Sequence, residues 1–210
     1  MIKMASKKQK TGDLRKMTVT AIMSALGFVL MFLGDSIEIP FMPSFIKLDF
    51  SELPALITAF AFGPLWGVGV CALKNIIHLL FFFGHSAGIG ELANFLLGFP
   101  FVAVAGLVYK KHHDRKHALI GALSGDFVMA AATFVVNLFL IYPLYINIMH
   151  FPLEAIMAEY QKVMPSMDSM WKAILAFNVP FTFIKGLFSV IITFVIYHNL
   201  SPILKGRKIN

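Results

Sequence analysis

Long apolar stretches, separated by short polar segments, make up most of the chain. A helix needs about 20 residues to cross the ~30 Å hydrocarbon layer of a bilayer, and five of the stretches reach or approach that length. The apolar stretches cover residues 17–33, 50–62, 65–84, 91–109, 118–145 and 171–198. The pattern therefore predicts an all-α fold, an integral membrane bundle of six transmembrane helices.

The second stretch is shorter than the others and is closed by Gly63-Pro64. It has roughly 13 residues, and a helix of that length measures only ~20 Å. Such a span must be tilted, sheltered by its neighbours or placed where the bilayer is thinned. Ser51 is the predicted N-cap of this helix, and Pro54 is predicted to lie in its first turn.

Composition indicates that lipid surrounds most of the chain. Of the 210 residues, 58% are hydrophobic and only 14% are charged, and the mean hydropathy is +0.78. Soluble domains carry about 25% charged residues, and a sphere of this size cannot hide so many apolar residues from water. The one cysteine, Cys71, lies in an apolar stretch, which excludes a disulfide framework and a cysteine-based zinc site.

The distribution of basic residues predicts the orientation of the bundle. The net charge is +7, and 13 of the 18 basic residues fall in segments 1–16, 109–118 and 200–210. Six spans place these segments on one side, and the positive-inside rule makes that side the cytoplasm. We therefore predict cytoplasmic N- and C-termini, with basic tails at 1–16 and 200–210 around a single transmembrane domain over 17–199. This distribution argues against a nucleic-acid partner.

The connections on the predicted outer side are longer than those on the inner side. They cover about residues 35–50 and 146–170, and residues 151–160 form an amphipathic segment that we expect at the membrane interface. Long loops on one face of a scaffold often carry recognition, so a ligand is expected from outside.

Motifs of enzymes and metal sites are absent from the sequence. There is no phosphate-binding G-x-x-x-x-G-K-[ST] loop and no H-E-x-x-H pair. His113 and His117 lie in a basic loop without a carboxylate-rich neighbourhood, so we expect no metal site and no catalytic residues. A small intramembrane enzyme would need Asp126 to converge with His78 or His198, and no spacing supports that arrangement.

Three charged side chains, Lys74, Asp126 and Lys185, interrupt the apolar spans. Each costs about 2.5–3.5 kcal/mol at the bilayer centre, which makes it a functional candidate. Asn178, Thr182 and Lys185 follow one another at i, i+4 and i+7 and therefore share one helical face. We predict that this face contacts a ligand; the alternative is hydrogen bonding that only holds helices together.

The other polar residues in the spans leave more than one interpretation open. Lys74 is expected either to pair with Asp126 or to bind a ligand. Asn178 precedes Val179-Pro180 and is expected to cap a helix that begins there.

Three amides and carboxylates near the outer ends of spans are further candidates. Asn137 lies in the outer third of the fifth span. Glu91 and Asn94 open the fourth span, where capping explains the carboxylate as well as ligand binding does.

Five segments together resemble a known family of membrane proteins. They are Leu48-Asp49-Phe50-Ser51-Glu52-Leu53-Pro54-Ala55-Leu56, Phe62-Gly63-Pro64, Leu73-Lys74-Asn75, Gly90-Glu91-Leu92-Ala93-Asn94-Phe95 and Pro180-Phe181-Thr182-Phe183-Ile184-Lys185-Gly186. In their order and spacing the chain resembles the substrate-binding S components of energy-coupling factor (ECF) vitamin transporters, most closely the riboflavin-specific members. The resemblance covers nearly the whole chain.

The resemblance implies a subunit that is not an enzyme and captures riboflavin at the extracellular side of a bacterial-type plasma membrane. Uptake is then driven by a separate energising module, made of one T component and two ATP-binding subunits. Riboflavin is the transported substrate, and no cofactor is expected. The same fold could instead carry another vitamin or small molecule, because function depends on the site rather than the fold.

The resemblance also implies roles for individual residues. Lys185 and Asn137 are the expected polar contacts of the flavin, and Thr182 stands where the family often has Asn. The first outer loop, which includes Leu48 and Asp49, is expected to close the site. The small residues Ala21 and Ala25 of the first helix are expected to contact the T component.

Overall fold

The computed structural model describes residues 2–37, 39–43 and 45–204, and it describes the side chains from residue 12 to residue 196 except at positions 38, 44 and 85. Most of the predicted C-terminal tail, residues 205–210, lies outside this range. Within it, the secondary structure is helical, without strands. The helices are α1 (Ile2–Asp35), α2 (Glu52–Phe62), α3 (Pro64–Ser86), α4 (Ile89–His112), α5 (Arg115–Val136), α6 (Tyr142–Ile148), α7 (Leu153–Val163), α8 (Met170–Ala173) and α9 (Val179–Leu204).

Five helical segments are long and apolar enough to cross a membrane, and α2 is the shorter sixth one. The long segments are Gly12–Asp35, Pro64–Gly84, Ile89–His112, Arg115–Ile148 and Met170–Ile196. The predicted all-α fold with five long apolar helices and a short one is therefore confirmed. The side of the membrane on which the termini lie stays a prediction. We call the end of the bundle that carries the 36–51 connection and α7 the outer end.

The short helix α2 is sheltered by its neighbours. It packs against α1, α3, α4 and α9, and most of its residues are buried. Gly63, with φ of 103°, joins α2 to α3 through a backbone conformation that favours glycine, and Pro64 then begins α3. Ser51 holds the predicted N-cap position, but its hydroxyl makes no capping hydrogen bond and donates instead to Asp49 Oδ2 at 2.9 Å.

Two π-helical turns interrupt the fifth and sixth spans. The first, π1, covers Asn137–Ile141 between α5 and α6, and the second, π2, covers Ile174–Asn178 between α8 and α9. Each ends two residues before a proline, Pro143 or Pro180. A proline inside a regular helix removes a hydrogen bond and crowds the carbonyl four residues earlier, and a wider turn relieves both.

The sixth span is therefore continuous across Pro180. The prediction that Asn178 caps a new helix is wrong, because the backbone N–H of Val179 still donates to the Ile174 carbonyl.

Two apolar clusters hold the bundle together. The inner cluster combines residues of α2, α3, α4, α5 and α9 around Leu56, Phe101 and Val102. The outer cluster joins Ile46 of the first connection to residues of α6, α7 and the sixth span. Large apolar side chains also cover the outward faces of the helices. Helices that contact lipid tails are expected to have such faces.

Candidate functional site

A cavity of about 690 Å³ opens at the outer end of the bundle. Its walls come from the end of α1, the connection before α2, helices α3 to α7, the two π turns and α9. The size suits a small organic molecule, and the walls are mostly apolar with a few polar groups, as is typical of ligand sites.

Seven of the eight predicted binding residues line this cavity, although they come from four separate parts of the chain. They are Asp49, Glu91, Asn94, Asn137, Asn178, Thr182 and Lys185. Leu48 is the exception: its side chain packs on the outer apolar cluster. Its carbonyl oxygen lies against Gly34 of α1, where a Cβ would overlap it.

Lys185 lies at the inner end of the cavity between two carboxylates. Its ammonium nitrogen is 3.6 Å from Asp49 Oδ2 and 3.5 Å from Glu52 Oε2. These distances are longer than those of a charged hydrogen bond, so the three N–H donors of Lys185 are not all committed to protein acceptors. The side chain is 14% exposed, and that exposed part belongs to the cavity wall.

Asp49 is fixed in the connection just before α2. Its Oδ2 accepts a hydrogen bond of 2.6 Å from Asn94 Nδ2, and its Oδ1 accepts one of 2.7 Å from the Ser51 backbone. Burial by itself would raise the pKa of Asp49. The charges of Lys185 and Lys74 and the hydrogen bonds from Ser51 outweigh burial and hold that pKa well below its ordinary value. Asp49 therefore faces the cavity as an anion.

Lys74 pairs with Glu52, so its predicted pairing with Asp126 is wrong. Lys74 Nζ lies 3.1 Å from Glu52 Oε1 and also donates to the Ser51 hydroxyl. The reason is the order of the helices: α3 packs on α1, α2 and α4, whereas α5 packs mainly on α4 and α9.

Asp126 lies apart from the cavity. It is fully buried in α5, and among the described residues neither of its carboxylate oxygens has a hydrogen-bond partner. It faces Gly186 of α9, where a Cβ would overlap its Oδ1.

His78 joins two carboxylates that also line the cavity. Its Nδ1 is 2.7 Å from Glu91 Oε1, and its Nε2 is 3.0 Å from Asp35 Oδ2. Ser86 also donates to Glu91 Oε2 at 2.7 Å, so Glu91 is held by side chains. Because a neutral imidazole has only one N–H, both histidine contacts become hydrogen bonds only with a second proton on the ring or on a carboxyl.

Asp126 and His78 do not converge, since His78 is bonded to Glu91 and Asp35. The side chain of His198 lies outside the described part of the structure. This arrangement gives no support to an intramembrane enzyme built on these residues.

Asn178 is held between two tyrosines that the sequence analysis did not select. Its Oδ1 accepts from the Tyr160 hydroxyl at 2.6 Å, and its Nδ2 donates to the Tyr142 hydroxyl at 3.0 Å. The two hydroxyls also form a hydrogen bond with each other. Burial raises the pKa of Tyr160 far above its ordinary value, so this hydroxyl stays a donor. Asn178 thus attaches α7 to the sixth span.

Asn137 and Thr182 differ from the other polar residues of the cavity. They are buried, with exposed fractions of 7% and 8%, and they line the cavity without a side-chain hydrogen bond to any other described residue. Most buried polar groups in proteins have a partner. These two side chains, with Lys185, therefore offer donors and acceptors to a molecule in the cavity.

Ala21 and Ala25 lie far along α1 from this site, and both are exposed. Their neighbour Ser24 is buried in the bundle and donates to the Thr20 carbonyl. The small-residue face of α1 therefore points away from the bundle. Its role in contacting another subunit stays a prediction.

A bundle of apolar helices with a cavity at one end, lined partly by polar side chains, is typical of membrane proteins that bind a small molecule. A family model described as "ECF transporter, substrate-specific component" matches residues 15–197. The chain therefore belongs to the substrate-specific (S) components of ECF transporters, as its sequence motifs indicated.

Named relatives and a solved structure agree with this membership. The chain is 32% identical over 191 residues to the riboflavin transporter RibU of Staphylococcus aureus, covering 91% of this chain and 93% of the relative. It is 30% identical over 197 residues to the riboflavin transporter FmnP of Bacillus subtilis, covering 92% and 96%. A solved structure of the S component of a bacterial ECF transporter aligns with a TM-score of 0.70 at 29% identity, covering 92% of this chain and 99% of that one.

Proposed function

We propose that this chain captures riboflavin at the extracellular side of a bacterial plasma membrane. It then presents the vitamin to a separate energising module for ATP-driven uptake. The observation that carries the proposal is the group of Asn137, Thr182 and Lys185, three polar side chains that line one cavity with hydrogen-bonding capacity left over. The RibU and FmnP relatives, named riboflavin transporters, support riboflavin as the substrate.

The chemistry of the cavity matches the chemistry of a flavin. The pyrimidine edge of a flavin has two carbonyl oxygens and an N–H, which an amide, a hydroxyl and an ammonium group can bind. The ring system is flat and apolar at its dimethyl end, and the cavity offers apolar walls that include Met31, Leu97, Met129, Ile141 and Phe181. The hydroxylated ribityl chain needs further polar contacts, which Asp49, Glu91 and Asn94 provide.

A fluorescence titration of the purified protein tests the substrate. We expect riboflavin fluorescence to be quenched at a ratio of one flavin per chain, and thiamine and biotin not to compete. Competition by another vitamin that binds more tightly than riboflavin would show that the fold carries a different substrate. Absence of any riboflavin quenching would contradict the proposal.

The T component is the proposed partner of the inner half of α1, at Ala21 and Ala25, and the two ATP-binding subunits complete the energising module. Ala21→Trp places a large side chain on the exposed small-residue face, which excludes a closely packed partner helix. We expect riboflavin binding to stay as in the wild type and uptake by cells that contain the energising module to be abolished. Full uptake by this variant would exclude the docking role of this face.

A further inference from the structure

Below the cavity, one carboxylate is shared by two lysines. Glu52 Oε1 is 3.1 Å from Lys74 Nζ, and Glu52 Oε2 is 3.5 Å from Lys185 Nζ. Lys185 lines the cavity, whereas Glu52 and Lys74 are buried behind it, and the Lys74 side chain has no exposed surface. Lys74 is therefore out of reach of a ligand but only one carboxylate away from Lys185.

The buried group has balanced charges. Lys74 and Lys185 supply two positive charges, and Asp49 and Glu52 supply two negative ones. A buried ion pair that loses one partner leaves an uncompensated charge, which is strongly unfavourable in a low-dielectric interior. If Lys74 loses its charge, Lys185 is therefore the cation of this group that remains to compensate Glu52.

The surrounding helices leave room for this arrangement. Gly27 of α1 lies over the Lys74 stem, where a Cβ would be 3.3 Å from Lys74 Cδ. Gly98 of α4 lies against the Glu52 carboxylate, where a Cβ would be 3.3 Å from its Oε1. Close glycines on both sides keep the Lys74–Glu52 pair in place.

The contacts of the two lysines differ in length. Lys74 makes a direct hydrogen bond to Glu52 and another to Ser51, whereas both carboxylate contacts of Lys185 exceed 3.4 Å. Lys74 thus makes the closer contact with Glu52, and Lys185 is not drawn fully onto that carboxylate.

We propose that Lys74 and Glu52 are positioning residues that keep the ammonium group of Lys185 at the cavity wall. Without Lys74, Glu52 becomes the nearest unpaired anion, and Lys185 moves toward it and away from the ligand. This inference rests on the riboflavin-binding function proposed above.

Riboflavin titrations of three variants test the inference. Lys74→Met leaves Glu52 unpaired, and we expect the affinity to fall about 10-fold or more, equal to at least ~1.4 kcal/mol. Lys74→Met/Glu52→Gln is neutral again and keeps the Lys185–Asp49 contact, so its affinity is expected to recover to within about threefold of the wild type. Lys172→Met, which removes the exposed lysine paired with Asp168 away from the cavity, is the matched control with unchanged affinity.

The recovery separates positioning from a merely structural role. A structural role predicts that the double variant binds as weakly as Lys74→Met, and that result would overturn the inference, as would wild-type affinity in Lys74→Met. If Lys74→Met does not fold, the double variant decides alone, and a folded double variant that does not bind contradicts the inference. A wild-type protein that fails to bind riboflavin refutes the proposed function instead.

Discussion

The inner and outer halves of the bundle use different side chains where the helices meet. In the inner half, small residues bring backbones into contact: a Cβ at Gly125 would overlap the Phe101 carbonyl, and one at Gly67 would lie 2.6 Å from Ala59 Cβ. In the outer half, charged, amide and aromatic side chains stand between the helices, and both π turns lie there. At Gly67 and Gly125 the close backbone packing leaves no space between the helices, whereas larger polar side chains line the cavity at the outer end.

The largest expected effect is in the outer half, at Lys185. Lys185→Met removes a charged donor from the cavity and leaves Asp49 and Glu52 without their shared partner. Hydrogen bonds to charged groups contribute about 1.5–3 kcal/mol, so the riboflavin affinity is expected to fall about 100-fold. Lys172→Met, at an exposed lysine of α8, is the control for fluorescence titration. Equal affinities of the two variants would remove Lys185 from the site.

In the inner half, Gly125→Ala tests whether backbone contact holds the helices together. The added Cβ overlaps the Phe101 carbonyl, so α4 and α5 must separate, and overpacking of this kind costs about 1–3 kcal/mol. Thermal unfolding in detergent measures the loss, and Gly69→Ala, where the nearest atom is 3.8 Å away, is the matched control. Equal stabilities of the two variants would contradict the close-packing account of this half.

Asp126 is a buried carboxylate of α5 outside the cavity, and its replacement sharpens the comparison. Leu has the same branching at Cγ as Asp, and it puts apolar atoms where two carboxylate oxygens have no partner within the described bundle. Removing a buried unsatisfied polar group regains about 1–3 kcal/mol, so we expect Asp126→Leu to unfold at a higher temperature. A lower unfolding temperature would show that the carboxylate is needed for the fold.

The smallest expected effect comes from the network that attaches α7 to the outer half. Tyr160→Phe removes the hydroxyl that bonds to Asn178 and Tyr142. A net hydrogen bond contributes about 1 kcal/mol, so riboflavin is expected to dissociate about fivefold faster because α7 covers the cavity less firmly. Stopped-flow fluorescence measures the rate. An unchanged rate in a folded variant would show that this network does not retain the ligand.

The six membrane-spanning helices were predictable because the length and apolar composition of each stretch can be read from the sequence alone. Sequence reasoning also selected most of the cavity residues, since the i, i+4, i+7 spacing places Asn178, Thr182 and Lys185 on one face. The partner of Lys74 was not predictable in this way, because it depends on which helices are neighbours.

Other parts of the site depend on contacts between segments that are far apart in the chain. Tyr160 belongs to a connection whose docking no local pattern reveals, and Asp35 reaches His78 across 43 positions. The Ser51 hydroxyl makes no capping hydrogen bond and accepts one from Lys74, and this contact likewise follows from tertiary packing. Local periodicity predicts which residues share one face of a helix, but it does not predict which residues of another segment pack against that face.

The central claim is that the outer cavity binds riboflavin, and the visible absorption spectrum of the purified protein tests it most directly. We expect protein produced in riboflavin-containing medium to carry flavin absorption bands at one flavin per chain, and Lys185→Met purified in parallel to lack them. A wild-type protein without flavin bands, even after incubation with excess riboflavin and removal of the unbound vitamin, would contradict the account.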